Sequence, residues 1–332
     1  MSRLATLCAL AILVLHAPVQ AQGRSEAAWC SEEPCLPPKY DASRTLNNHA
    51  FVPFQTLPFP FVTTRVTGQT GMGIVNLKSI PVANVGVVTT NDAKLVSFTQ
   101  SFLADVQLVK WLGLSGGFAV GNAVGINSSG AFNLGINYAV GGTLGVNFRL
   151  AQGKKWYLSL RGDGVWQRAE AVLPAALAQS ATDENGTITF AISSLTQGGN
   201  VANGVGNLMF AVAPHRMFGV FANTGFRYQH VSVGGQKGDD GNLLFGLGSQ
   251  LRLNSVGAPI VFTLGGSIQV RTNQSERVFF PTIGSQGSTT GYVEGGILYS
   301  DPKFVDVGVQ TTWSVATNDN RKQAVLVINH FW

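Results

Sequence analysis

Charged residues are scarce in this chain. Asp, Glu, Lys and Arg make up 12% of its 332 residues, about half of the share in an ordinary soluble domain. A soluble enzyme of this length would need more surface charge, whereas Phe, Val, Leu and Ile are too plentiful for a disordered chain. The net charge of +5 is small and dispersed, which argues against nucleic-acid binding.

Long apolar runs are also missing. A membrane-spanning helix needs roughly 20 consecutive apolar residues, and the longest such run, 4–15, stops well short of that. The mean hydropathy is nevertheless slightly positive, and the chain contains 40 glycines. A chain that is apolar on average but has no spanning helix is typical of a transmembrane β-barrel, in which apolar and polar residues alternate.

The N-terminal run has the features of an export signal. Arg3 precedes it, and small residues at 19–21 form a cleavage site. We therefore expect residues 1–21 to be a signal peptide that is removed after Ala21. Cys30 and Cys35 remain in the mature chain and are expected to form a disulfide in an oxidising compartment. With no His or second Cys pair nearby, we expect no metal site and no cofactor.

Residues 22–58 differ from the rest because they combine this cysteine pair with prolines and several charges. We predict that 22–81 is an irregular N-terminal segment. It either remains in the periplasm as a tail or folds into the barrel as a plug, and the sequence leaves both alternatives open.

From residue 82 to the C-terminus, apolar and polar residues alternate with the period of a β-strand. The length of the predicted strands and their Gly-, Ser- and Asn-rich polar faces favour a membrane barrel over a soluble sandwich. We predict an all-β, antiparallel up-and-down barrel of about 12 strands over 82–332. An extra hairpin at 59–67 and 70–78 would make 14. The predicted strands are 82–91, 94–108, 111–120, 141–150, 156–167, 205–213, 217–231, 242–253, 259–271, 288–299, 304–316 and 322–332.

The predicted connections alternate between two ends of the barrel. All the short ones fall at one end, and the long ones, including 121–140, 168–204 and 272–287, fall at the other. Short periplasmic turns with longer external loops are the usual asymmetry of such barrels. This asymmetry places the C-terminus at the periplasmic end.

Aromatic residues are spaced to fit a bilayer. Trp156 and Trp166 lie ten residues apart on one face of a predicted strand, as do Phe218 and Tyr228. Ten tilted residues rise roughly 25 Å, about the height of the apolar band between two aromatic girdles. We assign these four residues and Trp313 to the girdles.

The chain ends in Phe331-Trp332, and His330 and Ile328 share the parity of Trp332. This ending resembles the C-terminal assembly signal of bacterial outer-membrane β-barrels, although an aromatic residue usually stands where His330 is found. The resemblance implies an outer-membrane location, a lipid bilayer as surroundings, and the barrel assembly machinery and periplasmic chaperones as partners.

In size and general pattern, the chain also resembles transporter-type barrels for aromatic or fatty compounds, such as the phenol-degradation outer-membrane family. That resemblance implies passive or facilitated passage of small solutes, including hydrophobic ones. A structural or adhesive surface barrel with a filled lumen is the alternative. A membrane-embedded lipid-acting enzyme is less favoured, because no Ser and Asn motif accompanies His230, which lies near the outer rim.

The predicted inward faces carry five positive and three negative charges. They either line a pore and tune its selectivity or pair with one another and brace the wall. The eight residues are Arg149, Arg161, Asp163, Arg227, Arg252, Arg271, Glu294 and Asp306.

Overall fold

The computed structural model describes residues 42–84, 87–127, 136–172, 196–233, 236–254, 257–272, 289–301, 304–315 and 319–332. The predicted signal peptide and the Cys30–Cys35 pair lie outside the described residues, as does most of the predicted loop 168–204. No helix among the described residues is long and apolar enough to cross a membrane.

Twelve long antiparallel strands form a closed barrel, which confirms the predicted fold class and strand number. Each strand pairs with its neighbours in sequence, and the last strand pairs with the first to close the wall. After a short hairpin, β1 (Thr45–Leu46) and β2 (His49–Ala50), the barrel strands are β3 (Arg65–Asn84), β4 (Val87–Val109), β5 (Leu112–Gly125), β6 (Ile136–Gln152), β7 (Trp156–Val172), β8 (Thr196–His215), β9 (Phe218–Val233), β10 (Gln236–Arg252), β11 (Ile260–Arg271), β12 (Thr289–Ser300), β13 (Val305–Ser314) and β14 (Asp319–Phe331).

The barrel begins at Arg65 and not at residue 82, so the predicted boundary is wrong. Strand β3 continues through the proposed 59–67 and 70–78 hairpin, which excludes the 14-strand alternative. The break predicted between strands 82–91 and 94–108 lies within β4. Glycines at inward positions such as Gly71 and Gly73 weaken the sequence alternation of β3, while its backbone still completes the ladders to β4 and β14.

Several strands are longer than predicted at the end opposite the short turns. The predicted connection 121–140 shrinks to 126–135. The gap between the predicted strands 217–231 and 242–253 shrinks to 234–235, and β8 begins at Thr196. These extensions are rich in Gly, Asn and Asp, so they lack the apolar alternation that identifies a membrane strand. Ladder pairing depends on backbone groups and continues beyond the region where side chains alternate.

The two faces of the wall differ in chemistry. In β14, Leu326 and Ile328 are about half exposed on the outside, whereas Val327 and Asn329 are buried inside. Large apolar side chains cover the outer face of the other strands in the same way, and the inner face carries mostly small and polar residues. An apolar outer face of this kind is the expected surface of a barrel in lipid.

Residues 42–64 lie inside the barrel, and we call them the luminal segment. They begin with a single 3-10 turn (Ala42–Arg44) and the β1–β2 hairpin, and continue without regular structure to Thr64. The hairpin turn contains Asn47 and Asn48 in the left-handed region, with φ of 48° and 61°. Asn tolerates this conformation better than most residues.

The luminal segment and the barrel wall together form a buried aromatic cluster. Phe51, Phe54, Phe59 and Phe61 form one buried cluster with Tyr157, Phe221 and Phe331 of the wall. Phe54 meets Phe221 edge to face at 4.7 Å between ring centroids, a favoured geometry for aromatic pairs. The hairpin lies at the short-turn end, where the Asn47 amide donates to the Lys154 carbonyl.

Candidate functional site

A cavity of about 960 Å³ occupies the lumen next to the luminal segment. Its floor consists of residues 53–59, and its wall includes inward-facing residues such as Gln69, Thr99 and Thr143. It extends away from the short turns as far as Ala169 of β7 and Arg321 of β14. Its volume lies in the range of small-molecule sites.

Side chains of the wall bind the backbone of the luminal segment. The Val52 amide donates to Gln250 Oε1 at 3.0 Å, and Gln250 Nε2 donates back to the Val52 carbonyl. Gln310 Nε2 donates to the Pro53 carbonyl at 2.9 Å. An irregular segment inside a barrel has no ladder partners, so its buried peptide groups need side-chain partners.

Glu294 of β12 binds the centre of the floor. Its Oε2 accepts hydrogen bonds from the backbone amides of Gln55 and Thr56, at 3.0 and 2.9 Å. The residue is 1% exposed, and its Oε1 has no partner among the described residues. Because one carboxyl oxygen binds two successive peptide N–H groups, Glu294 is a principal anchor of the floor.

The opposite wall anchors the second half of the luminal segment. The Pro60 carbonyl accepts from Ser159 Oγ at 2.7 Å and from Asn147 Nδ2 at 3.2 Å. The Val62 amide donates to the Tyr157 hydroxyl at 3.0 Å. Since proline has no backbone N–H, Pro60 leaves no donor to satisfy at this position.

A buried polar network holds the luminal segment at the short-turn end. The Arg44 guanidinium forms a 2.6 Å ion pair with Asp306 and lies 3.6 Å from the ring centroid of Phe331. Ser300 Oγ donates to the other oxygen of Asp306 and accepts from Arg252 Nη2 at 2.6 Å. Arg252 Nε donates to the Ala50 carbonyl at 3.1 Å, so three barrel strands (β10, β12 and β13) and the hairpin share one network.

His49 is fully buried beside this network. Its Nδ1 lies 3.3 Å from the Arg216 carbonyl oxygen, and its ring meets Phe51 edge to face. Burial, together with the nearby positive charge of Arg252, lowers the pKa of His49 to about 3. The imidazole is therefore neutral at physiological pH.

A second charge cluster lies on the wall beside the floor. Arg65 Nε and Asp105 form a 2.6 Å ion pair, and Asp105 also lies 3.6 Å from Arg161. Arg161 contacts Asp163 at 2.8 Å and donates to Ser115 Oγ at 3.1 Å. The two arginines and two aspartates balance in charge, as buried charges require.

The predicted inward charges do not form one continuous lining. Arg161, Asp163 and Arg227 line the cavity. Glu294 and Asp306 bind the luminal segment directly. Arg252 donates hydrogen bonds both to the luminal segment and to Ser300. Arg149 binds Gln152 near the short turns, at 2.8 Å. Arg271 forms a two-bond pair with Asp240 near the other end.

Sequence reasoning missed most residues that complete these networks. Arg44 and Arg65 stand in the part of the chain assigned to the irregular segment, so no strand parity was available for them. The inward orientation of Asp105 could have been predicted, because its parity in β4 is opposite to that of the exposed Phe98 and Phe102.

The predicted girdle residues are all on the outer face. Trp156, Trp166, Phe218, Tyr228 and Trp313 are between 39% and 57% exposed. In the predicted assembly signal, Ile328 and Trp332 are also exposed, and the His330 ring lies 5.2 Å from that of Trp332. Their roles in lipid contact and assembly remain predictions.

His230 also lies on the outer face, with Nδ1 2.7 Å from Asp239 Oδ1. Both side chains are about half exposed. Within the described parts of the chain, no group of three His, Cys, Asp or Glu residues is arranged to hold a metal ion.

No protein-family model and no curated protein sequence matches this chain. Solved structures do match. The translocator domain of the autotransporter NalP from Neisseria meningitidis is 11% identical, with a TM-score of 0.52, covering 81% of this chain and 88% of that one.

Two further matches have lower TM-scores. The transport unit of the autotransporter AIDA-I from Escherichia coli is 12% identical (TM-score 0.46), covering 86% of this chain and 95% of that one. The toluene transporter TodX from Pseudomonas putida is 12% identical (TM-score 0.36), covering 81% and 88%. The likeness to the NalP domain shows the fold of a bacterial outer-membrane β-barrel, and at 11% identity it concerns the fold alone.

Proposed function

We propose that this protein is a bacterial outer-membrane channel or transporter for small solutes, whose lumen is closed by the luminal segment. The observation that carries the proposal is the cavity of about 960 Å³ that ends on residues 53–59. A barrel of 12 strands is narrower than a 16- to 18-stranded porin. A short peptide segment is therefore enough to close it.

The short-turn end is proposed to face the periplasm. The two shortest connections there run from Val109 to Leu112 and from His215 to Phe218, and β14 ends on the same side. This arrangement fits the usual topology of outer-membrane barrels. Export by a signal peptide (1–21), periplasmic chaperones and the barrel assembly machinery would bring the chain to this membrane.

Passage through this lumen requires the floor to move. The backbone of the floor is held chiefly by the carboxylate of Glu294 and the carboxamide of Gln310, while the carboxamide of Gln250 holds the adjacent Val52. Each of these hydrogen-bonding side chains holds only one or two peptide groups, so one contact can break while the others remain. We therefore assign the luminal segment the role of a gate, with Glu294 as its central anchor.

A structural barrel with a filled lumen is the second candidate. The buried Arg44–Asp306 pair and the aromatic core around Phe51 favour it, because both stabilise the closed arrangement. The two candidates differ in whether the luminal segment ever leaves its place in the folded protein.

Single-channel recording in planar bilayers tests the proposal. We expect the refolded mature chain (22–332) to give rare or small conductance steps, and a chain lacking 22–64 to give large and frequent ones. Silence in both forms, with a folded barrel verified by its heat-dependent gel shift, would contradict a channel and leave the structural role.

Glu294→Ala tests the gate in the full mature chain. Without this carboxylate, the buried amides of Gln55 and Thr56 lose their partner, at about 1–3 kcal/mol for each unsatisfied group. We expect the open probability to rise roughly tenfold or more. Glu170→Ala is the matched control, because Glu170 pairs with Arg168 away from the luminal segment. An equal response of both variants would argue against an anchoring role.

A further inference from the structure

Arg227 is an arginine of the cavity wall with no ion-pair partner in the part of the chain that the structure describes. It stands on the inner face of β9, opposite Val205 of β8 and Asn242 of β10. Among the described residues it makes no hydrogen bond or ion pair, and its buried Nε is unsatisfied. Tyr292 and Asp240 interact with it only through space, and both oxygens of Asp240 accept hydrogen bonds from Arg271.

Two other arginines of the cavity wall are paired with aspartates. Arg65 and Arg161 also line it, and each lies against an aspartate within the cluster of Asp105 and Asp163. A guanidinium that is partly removed from water and has no counterion is unfavourable. An anion in the cavity would supply the missing partner through two parallel hydrogen bonds, the geometry that arginine forms with a carboxylate.

The wall becomes polar and then apolar between Arg227 and the floor. Asn223 lies four residues before Arg227 on the same face of β9, about 13 Å along the strand. Its Nδ2 donates to Asn207 Oδ1 at 3.2 Å, and both residues line the cavity. Asn223 Oδ1 has no partner among the described residues.

The apolar floor begins beside Asn223. A Cβ added to Gly246 would collide both with the Asn223 carboxamide and with the side chain of Leu57, so these two groups are neighbours. Phe54 and Leu57 likewise meet at Gly248. The absence of side chains at these glycines leaves room for the floor residues at the end of the cavity.

We infer that the cavity binds amphipathic monocarboxylates, with the carboxylate on Arg227 and the apolar tail directed toward Leu57 and Phe54. The inference rests on the proposed channel function for its biological meaning, since it names the class of solute. A solute of this class satisfies the charge of Arg227 and places its tail against Leu57 and Phe54, which line the end of the cavity. A cation or an uncharged sugar would do neither.

Equilibrium dialysis of octanoate against the folded mature protein in detergent tests this. Octylammonium has the same tail with the opposite charge, and acetate has the same head without the tail. Arg227→Gln removes the proposed contact and is expected to fold, since the arginine has no partner to lose. Arg149→Gln is the matched control, because it makes the same change outside the cavity lining.

We expect saturable octanoate binding that Arg227→Gln weakens about 10- to 100-fold, the range for losing hydrogen bonds to a charged group. Arg149→Gln should bind like the wild type, and acetate and octylammonium should bind much more weakly than octanoate. Equal octanoate binding by wild type and Arg227→Gln, no octanoate binding, or equally tight octylammonium binding would overturn the inference. Equal binding of acetate would reduce the site to a simple anion site and overturn the tail assignment.

Conductance recorded on the same samples separates this inference from the proposed function. Conductance steps without octanoate binding would refute the carboxylate site and leave the channel. Octanoate binding without steps in the intact or truncated chain would refute the channel and leave a binding site.

Discussion

The Arg44 guanidinium and the Asp306 carboxylate form an ion pair at 2.6 Å although 262 residues separate them in the chain. Both side chains are fully buried. The pair joins the start of the luminal segment to β13, which is assembled near the end of the chain. The luminal segment can therefore reach its final position only after nearly the whole barrel wall exists.

Asp306→Asn should loosen the luminal segment. Removing one partner of a buried ion pair costs about 3–5 kcal/mol, because the other charge stays buried without compensation. We expect a lower temperature for the gel shift and faster protease cleavage within 42–64. Since β13 itself could be weakened, Arg44→Met serves as a second variant and should act in the same direction.

The double variant, Arg44→Met with Asp306→Asn, should be less destabilised than the sum of the single changes, because no unpaired charge remains. Glu170→Gln is the exposed control, since its partner Arg168 is 63% exposed and such pairs contribute little. Additive effects of the two single changes would contradict direct coupling between Arg44 and Asp306.

Gly219 should tolerate no side chain while the luminal segment is in place. A Cβ at this position would lie 2.5 Å from His49 Nε2 and 2.6 Å from Phe51 Cε1. Overpacking of this kind costs about 1–3 kcal/mol. We expect Gly219→Ala to raise the frequency of conductance steps in the mature chain.

The control for this change is Gly204→Ala, because no heavy atom lies within 4 Å of a Cβ at Gly204. It should behave like the wild type in the same recordings. If Gly219→Ala also leaves the recordings unchanged, the contact between β9 and the hairpin does not limit opening.

Acid should open the lumen through His49. The pKa of His49 is lowered from 6.5 to about 3 in the closed arrangement, so the released segment binds more protons between these values. The stability of the closed state is therefore fully present above pH 6.5 and decreases as the pH falls through this window. We expect more frequent conductance steps at pH 5 than at pH 7.5.

His49→Gln has no imidazole to protonate and should show a flatter pH response. The neighbouring charge is that of Arg252, which stays positive across this range. An unchanged acid response in His49→Gln would assign the effect to other groups, with the carboxylates of the luminal networks as the first candidates.

The barrel was largely predictable because lipid imposes a simple pattern on each strand. The predicted 259–271 and 288–299 agree with β11 (Ile260–Arg271) and β12 (Thr289–Ser300) to within a residue. Strand β3 was not found, because glycines occupy several of its positions and the alternation is lost there. Parity also identified Glu294 and Asp306 as inward-facing residues.

The partners of these residues could not be predicted. The luminal segment has no periodicity, and its position depends on hydrogen bonds to side chains such as Gln250, 198 residues away from Val52. Composition indicates that the segment is irregular, but no local pattern specifies which wall residue receives which peptide group. The cavity and the unpaired state of Arg227 follow from that packing and were equally inaccessible.

The outer face of β6 provides a test of the membrane assignment itself. Leu144 lies near the middle of this strand and is 74% exposed on the outside, while its neighbour Thr143 lines the cavity. An arginine on the lipid face near the bilayer centre costs about 2–4 kcal/mol. We expect Leu144→Arg to lower the free energy of unfolding from phospholipid vesicles by this amount in urea titrations.

Thr143→Arg places the same charge in the lumen and should cost much less. Equal effects of the two changes would mean that the apolar outer face is not in contact with lipid.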